Sequence, residues 1–334
     1  MSIRFLDWRD FSFLRNCRKD TLFFYNALFL TAGPLQTLET ILSSLVPLGG
    51  AFTLAYKDTG TSKDSQDKNM LIGQVIHRAG DDHAYLTFLA PESILEQEID
   101  GFFILIDNLI AEAGKRGTLH LLADVNEHSA AFTLLRQAGF SVYTRQRIWR
   151  ISDPPPILPE VNTSTIQNWR PATSQDIIAI QGLFCNLVPA LVQRITPSMT
   201  THLKGLVFYQ GDELQAYLDL RFGINGIYAI PLVHPNAEDA ALTFANALND
   251  LPGLSPRLNR NVYICVSHFQ SWLESTLEKQ GAESSPPQVL MTKHLAIQQP
   301  STQSLSLSKL DQRQAKTFAC ATLGDKQYDA SPHH

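Results

Sequence analysis

The spacing of apolar residues along this chain switches between a helical period and short, largely apolar runs, which predicts alternating helices and strands. A first series begins with a strand over residues 3–7 and a helical region over residues 11–30. It continues with a helix over 33–45, strands over 51–56, 69–77 and 83–90, a helix over 96–114, a strand over 118–125, and a helix and a strand within 126–149.

A second series of elements begins near Trp169 and follows the same order. Its first helix has Thr173 or Ser174 as the N-cap. Both series end in an amphipathic helix, a glycine (Gly139 and Gly281) and a strand, and such internal repetition predicts two similar domains. The other elements of the second series are a helical turn over 188–193, strands over 205–209, 214–222 and 226–233, a helix over 237–248, a strand over 261–266, a helix over 268–280 and a strand over 288–296.

Three consecutive prolines, residues 154–156, separate the two series, and such a run cannot continue a helix or a central strand. A chain of 334 residues also suits two domains of about 150 residues each. From residue 298 onward few large apolar residues remain, which indicates a flexible tail. We therefore predict an N-terminal domain over 1–152, a proline-rich linker over 153–164, a C-terminal domain over 165–297 and a tail over 298–334.

The amino-acid composition bears on three questions: nucleic-acid binding, the state of the cysteines and insertion into a membrane. A nucleic-acid-binding surface needs concentrated Lys and Arg, so the net charge of −5 and the charged fraction of 18% give no reason to expect nucleic acid as a partner. The four cysteines form no CxxC pair and no metal-ligand spacing with histidine, which favours free thiols in a reducing cytoplasm. The most apolar stretch, residues 22–35, is shorter than the roughly 20 residues of a membrane span and contains Asn26 and Pro34, so we expect a buried helix there.

The order of elements in both series resembles the GNAT superfamily of N-acetyltransferases: a strand, two helices, three antiparallel strands, then a helix, a strand, a helix and a strand. The stretch WRPATSQDIIAI, from Trp169, resembles the opening strand and first helix of that family. The stretch NEHSAAFTLLRQAGF, from Asn126, resembles its later helix with the terminal Gly-Phe pair. The resemblance implies an α/β fold with a mixed sheet, built as two tandem GNAT-like acyl-CoA N-acyltransferase domains. Each domain should have a splay between its third antiparallel strand and the next, parallel strand.

The resemblance also implies acyl-CoA as the cofactor and an amine of a small molecule or a peptide as the acceptor. Strand-edge amides next to the splay would pair with the pantetheine amides. The amine would attack the thioester while backbone amides hold the carbonyl oxygen. The strand ends expected to bind the cofactor are Phe88, Leu89 and Ala90 in the first domain and Pro231, Leu232 and Val233 in the second.

The motifs that carry this chemistry in the family are degenerate here. The family's pyrophosphate loop, Arg/Gln-x-x-Gly-x-Gly/Ala, would follow each third strand, but residues 91–100 and 234–244 contain no glycine and carry several acidic residues. Carboxylates at these places stabilise a helix N-terminus and repel phosphate. The family's tyrosine acid would stand four residues before the terminal glycine, where this chain has Leu135 and Leu277.

His234, at the end of a strand and at the mouth of the second cleft, is the candidate catalytic residue. Asp219 also lies on a strand, but rather than take part in catalysis its carboxylate can pair with Arg221, two residues along on the same face. Two functions remain open: an acyl-CoA-dependent N-acyltransferase, or a catalytically inactive tandem protein that binds a small metabolite or a protein partner. Free backbone N–H groups around an open cleft would favour the first, and a filled cleft would exclude acyl-CoA.

Overall fold

The computed structural model of the chain describes residues 2–17, 19–32, 50–57, 70–151, 168–197, 203–249 and 261–295. These residues pack together within residues 1–296. The predicted helix over 33–45, the linker over 153–164 and the tail over 298–334 lie outside the described residues, so the domain boundaries stay predictions. We call residues 2–151 the first half and residues 168–295 the second half.

The first half contains seven strands and four helices among its described residues. Their order matches the predicted one except near the N-terminus. The elements are β1 (Ser2–Phe5), a 3-10 turn (Trp8–Asp10), α1 (Phe11–Cys17), β2 (Leu22–Phe23), α2 (described over 26–32), β3 (Ala51–Lys57), β4 (Met70–His77), β5 (His83–Ala90), α3 (Ile99–Lys115), β6 (His120–Asn126), α4 (Ala130–Gln137) and β7 (Ser141–Ile151).

The second half repeats this order. Thr173 is the N-cap residue, as predicted, and forms a capping box with Asp176. The elements are β8 (Trp169–Pro171), a 3-10 turn (Ser174–Asp176), α5 (Ile177–Leu187), α6 (Ala190–Ile195), β9 (Gly205–Gln210), β10 (Glu213–Phe222), β11 (Gly226–Val233), α7 (Glu238–Asn249), β12 (Asn261–Ser267), a 3-10 turn (His268–Gln270), α8 (Trp272–Lys279), β13 (Glu283–Ser284) and β14 (Gln288–His294).

The predicted helical region over 11–30 is interrupted, so that prediction was wrong. Helix α1 ends at Cys17, whose carbonyl accepts hydrogen bonds from the Asp20 N–H and from the Thr21 hydroxyl. Leu22 and Phe23 then form strand β2, which pairs with β5. A short apolar run suits a buried strand as well as a buried helix, and its spacing alone does not distinguish them.

The strands of both halves form one continuous sheet. Its order is β1-β3-β4-β5-β6-β14-β7-β12-β11-β10-β9-β8, with β2 and β13 added at β5 and β7. In the first half, β5 pairs in parallel with β6 only over His83–Tyr85, although β5 continues to Ala90. In the second half, β11 pairs with β12 only over Gly226–Ala229 and continues to Val233. Both halves therefore have the splay that the resemblance implies.

The last strand of each half joins the other half. Strand β14 lies between β6 and β7, and β7 pairs on its other edge with β12. Gln288 lies opposite Asn126 of β6, just as Gln146 lies opposite Ser267 of β12, and the two glutamines face each other across β14 and β7. An approximate two-fold axis therefore passes between Gln146 and Gln288. The sequence prediction of two domains did not include this exchange, which makes the two halves share one sheet.

Helices cover both faces of the sheet. On the face that we call the rear face, α3 and α4 pack on the strands of the first half, and α7 and α8 pack on those of the second half. On the opposite, front face, α1, α2, α5 and α6 pack against the sheet. Among the described helices, none is long and apolar enough to cross a membrane.

An arginine–aspartate pair marks the start of each repeat. Arg4 makes two hydrogen bonds to Asp10, at 2.7 and 2.6 Å, and Arg170 makes two to Asp176, at 2.8 and 2.7 Å. In both cases the backbone N–H three residues before the aspartate also donates to it. The shared spacing fixes how the two halves correspond: α1 matches α5, and the chain that follows α1 matches the chain that follows α5.

Candidate functional site

The splay of the first half is filled by the chain itself. Phe24 lies between the two diverging strands. Its N–H donates to the carbonyl of Thr87 on β5 at 2.9 Å, and its carbonyl accepts from the N–H of Asp124 on β6 at 2.8 Å. Just before it, β2 pairs with β5 through Leu22 and Phe23. The side chain of Phe24 is fully buried. The segment thus satisfies backbone groups on both strands that the splay would leave unpaired.

The same segment reaches the loop that follows β5. The Asp20 carboxylate accepts hydrogen bonds from the hydroxyl and, at 2.7 Å, the N–H of Ser93, and the Asp20 carbonyl accepts from the Glu92 N–H at 3.1 Å. The carboxylate and the carbonyl of Asp20 therefore take up N–H groups that an external anion would need. At the other end of the segment, a cavity beside Tyr25 and Thr87 measures about 10 Å³, which is room for one water molecule and no acyl group.

The predicted cofactor-binding residues of the first half have no open edge. Phe88 and Leu89 pair with β4 on one side and with β2 on the other, and Ala90 pairs with Ile72 of β4. Phe88, Leu89 and Ala90 are at most 2% exposed. A pantetheine arm could reach this strand edge only by displacing β2.

The corresponding cleft of the second half has a different lining. Among the described residues, only β10 and β12 pair with β11, and the pairing with β12 stops at Ala229. Beyond that point, the Val233 carbonyl accepts a hydrogen bond from the Gln270 side chain at 2.9 Å. Leu232 packs in one cluster with Phe269. Within the described ranges, no strand takes the place that β2 takes in the first half.

The edge of β11 lacks one backbone donor. Successive residues of a strand direct their backbone groups to opposite neighbours. The His234 N–H bonds to Gln215 of β10, whereas the Val233 carbonyl bonds to Gln270 on the side of β12. Pro231 therefore faces the side of β12 and has no N–H. A pantetheine arm along β11 would meet a carbonyl but no donor at Pro231.

His234 lies away from the point where β11 and β12 diverge. It lies five residues beyond Ala229, the last residue of β11 that pairs with β12. Five residues correspond to roughly 16 Å along an extended strand. Its ring Nδ1 accepts a hydrogen bond from the Asn236 N–H at 3.3 Å, so the side chain folds back on the turn before α7. The catalytic role of His234 stays a prediction.

The helices that end the two repeats close in the same way. Gly139 and Gly281 adopt positive φ values of 82° and 73°, the left-handed conformation that favours glycine. Phe140 turns inward and is 1% exposed. Leu135 and Leu277 are fully buried, so neither position offers a proton donor to a cleft.

A row of polar side chains crosses the centre of the front face, where the two halves join. On the approximate two-fold axis, the Gln146 amide donates to the side-chain oxygen of Gln288 at 3.2 Å. The same oxygen accepts from the Asn26 amide at 2.9 Å, and that amide also donates to Asp124 at 3.2 Å. On the other side of the axis, Cys265 Sγ donates to Gln146 Oε1 at 2.9 Å. One hydrogen-bonded chain therefore connects β6 of the first half with β12 of the second half.

Asp124 and Cys265 hold equivalent places in the two repeats. Strand β5 pairs with β6, and β11 with β12, from the first residue of each strand. Asp124 is the fifth residue of β6, and Cys265 is the fifth residue of β12. In the parallel pairing, the last paired residue is Leu122 on β6 and Ile264 on β12, so Asp124 lies two residues past it and Cys265 one residue past it. The repeat therefore brings one acidic and one thiol side chain to the two points of divergence.

The Asp124 carboxyl group has unusual acid–base properties. Burial raises its pKa from the ordinary 3.8 to about 6, although hydrogen bonds from Asn26 act in the opposite direction. Asp124 keeps part of its surface exposed, so it lies in a recess that solvent reaches. A carboxylate with a pKa near neutrality suits a general base. Burial also raises the pKa of the Cys265 thiol, to about 12, which opposes a role as a thiolate nucleophile.

Aromatic side chains and a cation lie beside Asp124. Tyr25 stacks on Tyr85 with ring centroids 4.1 Å apart, and its hydroxyl accepts a hydrogen bond from Arg221 at 2.7 Å. Arg221 also pairs with Asp219 at 3.7 Å, as expected.

The contacts of Tyr25 with Tyr85 and Arg221 show that the front face is curved. Five strands separate β5, which carries Tyr85, from β10, which carries Arg221. In a flat sheet, β5 and β10 would be about 29 Å apart, which is more than the side chains of Tyr85, Tyr25 and Arg221 can bridge. The front face is therefore concave, and we call the concavity formed by Tyr25, Tyr85, Asp124, Arg221 and Cys265 the central recess.

Three histidines cluster on neighbouring strands, away from the central recess. The ring centroids of His83 and His120 are 5.1 Å apart, and those of His120 and His294 are 4.8 Å apart. Burial lowers the pKa of His83, against the opposing charges of Asp82 and Asp81. Burial, together with the neighbouring His83 and His294, lowers the pKa of His120. Within the ranges that the structure describes, no group of three or more histidine, cysteine or acidic side chains is arranged to hold a metal ion.

Several solved structures of known proteins are similar to this chain at low sequence identity. No family model matches the chain, and no curated protein matches it. A GCN5-related N-acetyltransferase from Sphaerobacter thermophilus is 14% identical with a TM-score of 0.48, over 79% of this chain and 86% of that chain. A tandem GNAT protein from the clavulanic acid biosynthesis pathway is 11% identical with a TM-score of 0.45, over 88% and 98%. A putative acetyltransferase from Pyrococcus horikoshii is 12% identical with a TM-score of 0.49, over 89% and 90%. The chain resembles the GNAT N-acetyltransferases.

This GNAT likeness concerns the fold alone. With identities of at most 14% and TM-scores below 0.5, these three matches carry no argument about activity, substrate or cofactor. The likeness is visible in the chain itself, in the repeated order of its elements and in the splay of each half.

Proposed function

We propose that this GNAT-like protein is an acyl-CoA-dependent N-acyltransferase that binds its cofactor in the second half only. The acceptor would be an amine of a small molecule or a peptide. The proposal rests on a difference between the splays of the two halves. Residues 22–24 fill the splay of the first half, whereas in the described part of the second half no strand pairs with β11 beyond Ala229 except β10.

In the second half, the pantetheine arm would lie along the end of β11, at Pro231, Leu232 and Val233. The thioester would lie where β11 and β12 diverge, next to Cys265. Three features lower the expected affinity. Pro231 offers no N–H, Gln270 already binds the Val233 carbonyl, and α7 begins with two acidic residues. We therefore expect a dissociation constant in the micromolar range or weaker.

Asp124 of the first half would act as the general base. Asn26, Gln288 and Gln146 link Asp124 by hydrogen bonds to Cys265, which lies where β11 and β12 diverge. Asp124 would accept the proton of the amine as the nitrogen attacks the thioester carbon. The carbon–nitrogen bond forms, the carbon–sulfur bond breaks, and the CoA thiolate takes a proton from solvent.

Titration calorimetry with acetyl-CoA and release of free CoA thiol with a panel of amines test this proposal. Asp124→Asn is expected to bind acetyl-CoA as the wild type does and to lose turnover by about 100-fold or more. Ile230→Trp places a large ring at the splay and is expected to abolish binding, whereas Ile224→Trp, at a position 64% exposed, is the matched control. Absence of acetyl-CoA binding, or full turnover in Asp124→Asn, would contradict the proposal.

A catalytically inactive tandem protein is the second candidate. The observation that favours it is the filled cleft of the first half, together with the acidic start of α7 in the second half. Under this alternative the central recess would bind a small metabolite without chemistry. Acetyl-CoA would then bind in neither half, and Asp124→Asn would change metabolite affinity and no reaction rate.

A further inference from the structure

We infer that residues 20–26 are a built-in occupant of the first-half cofactor cleft, held where a GNAT-like domain would hold acyl-CoA. The segment runs from the loop after β5, through the splay, to the central recess. The inference concerns the first half and holds whether or not the second half is catalytic. Three sets of contacts carry it, one at each end of the segment and one in the middle.

The first contact replaces the cofactor's charge. The Asp20 carboxylate accepts hydrogen bonds from the backbone N–H and the hydroxyl of Ser93, in the loop that would cradle a pyrophosphate. A carboxylate held this way satisfies the loop's donors with an anion that belongs to the chain. It also gives a reason for the glycine-free, acidic loop over residues 91–100. No phosphate has to approach that loop, so its carboxylates repel nothing.

The second contact replaces the cofactor's amides. Pantetheine would be expected to pair with the free edge of β5 through its two amide groups. In this chain, β2 pairs with that edge, and Phe24 donates to β5 at 2.9 Å and accepts from β6 at 2.8 Å. The Phe24 ring is fully buried and belongs to the hydrophobic core of the first half. Displacing the segment would open a cavity in that core as well as break these hydrogen bonds.

The third contact lies at the acyl end. The backbone N–H and the side-chain amide of Asn26 both donate to Asp124 Oδ2 at 3.2 Å, and the amide also donates to Gln288 at 2.9 Å. The end of the segment therefore orients the carboxylate of the central recess. The occupant and the proposed general base are thus parts of one hydrogen-bonded unit.

In the described part of the second half, no segment corresponds to this occupant. Helix α5 corresponds to α1, but the chain that follows α5 turns into helix α6 at Ala190 and forms no strand before β9 among the described residues. The only described hydrogen bond to the free side of β11 beyond its paired region comes from the Gln270 side chain. Among the described residues, the occupant is therefore found in the first half and is not a general consequence of the repeat.

Hydrogen exchange of the full chain, read by mass spectrometry with and without millimolar acetyl-CoA, tests the inference. We expect the amides of Phe24 and Asp124 to exchange as slowly as those of β4, and acetyl-CoA to leave their rates unchanged. Peptides over residues 229–236 report separately on the proposed second-half site. Rapid exchange at residues 22–26, or a change there on adding acetyl-CoA, would overturn the inference. Unchanged exchange rates at residues 229–236 on adding acetyl-CoA would contradict only the proposed function, not this inference.

Asp20→Asn probes the charged end, with Asp212→Asn in an exposed turn as the matched control. Loss of a charge-assisted hydrogen bond should speed exchange of residues 22–24 and 93 by about tenfold or more, and the control should leave it unchanged. Equal exchange in both variants would show that Asp20 does not anchor the segment. If Asp20→Asn fails to fold, the wild-type exchange rates at residues 22–26 decide the matter.

Discussion

Replacing Asp124 by asparagine is expected to stabilise the protein at neutral pH and to leave its stability near pH 4 little changed. Because burial raises the pKa of Asp124 from 3.8 to about 6, the folded state holds a proton between these values that the unfolded state has released. The stability that this proton contributes is present below about pH 4 and is lost as the pH rises through about 6. At about 1.36 kcal/mol per pH unit, the difference corresponds to about 3 kcal/mol. Solvent access to the side chain reduces this to about 1–3 kcal/mol.

Urea denaturation of the wild type, Asp124→Asn and the exposed control Asp212→Asn between about pH 4 and pH 8 measures this effect. The asparagine keeps an oxygen that can accept both hydrogen bonds from Asn26, so the packing should change little. The advantage of Asp124→Asn over the wild type should grow with pH to about 1–3 kcal/mol, and the control should show no such trend. An advantage that stays constant with pH, or that grows as the pH falls, would refute the electrostatic reasoning.

Three further predictions concern other parts of the molecule. Gly139→Ala should lower the unfolding free energy by about 1 kcal/mol or more, because a Cβ is forced to a φ of 82°; an unchanged denaturation midpoint would contradict the cap assignment. A double variant with glutamine at His83 and His120 should lose less stability than the wild type as the pH falls below about 6.5, because burial lowers both pKa values and the unfolded state then binds more protons; equal losses in urea denaturation would refute this. Cys185 is exposed and should react with a thiol reagent in the native protein, whereas Cys265, with a pKa of about 12, should react only after unfolding; rapid native labelling of Cys265, located by mass spectrometry, would contradict its burial.

Local sequence signals predicted most of the strands and helices. Strand β5 was predicted over residues 83–90 and has those bounds, because its apolar run is bounded by a polar turn and a proline. Gly139 and Gly281 were predicted to follow the last helix of each series, and they do. Both adopt the left-handed conformation that favours a residue without a Cβ. These features depend on a few neighbouring residues, so the sequence contains enough information to locate them.

The occupant of the first cleft depends on distant residues and was not predicted. The apolar run after Thr21 suits a helix or a strand, and only pairing with Phe88 and Leu89 makes it a strand. The exchange of β7 and β14 is similar, because a strand has the same local pattern whichever half it joins. The repeated spacing of Arg4 to Asp10 and Arg170 to Asp176 was present in the sequence, however. Aligning the halves on that spacing would have placed α1 opposite α5.

The availability of one cofactor cleft per chain is the central claim, and the stoichiometry of acetyl-CoA binding tests it most directly. Because residues 20–26 hold the first cleft, titration calorimetry of the full chain should give one equivalent of acetyl-CoA, with a dissociation constant in the micromolar range or weaker. Two equivalents would show that the first-half segment gives way to the cofactor, and no binding at millimolar acetyl-CoA would contradict the second-half site.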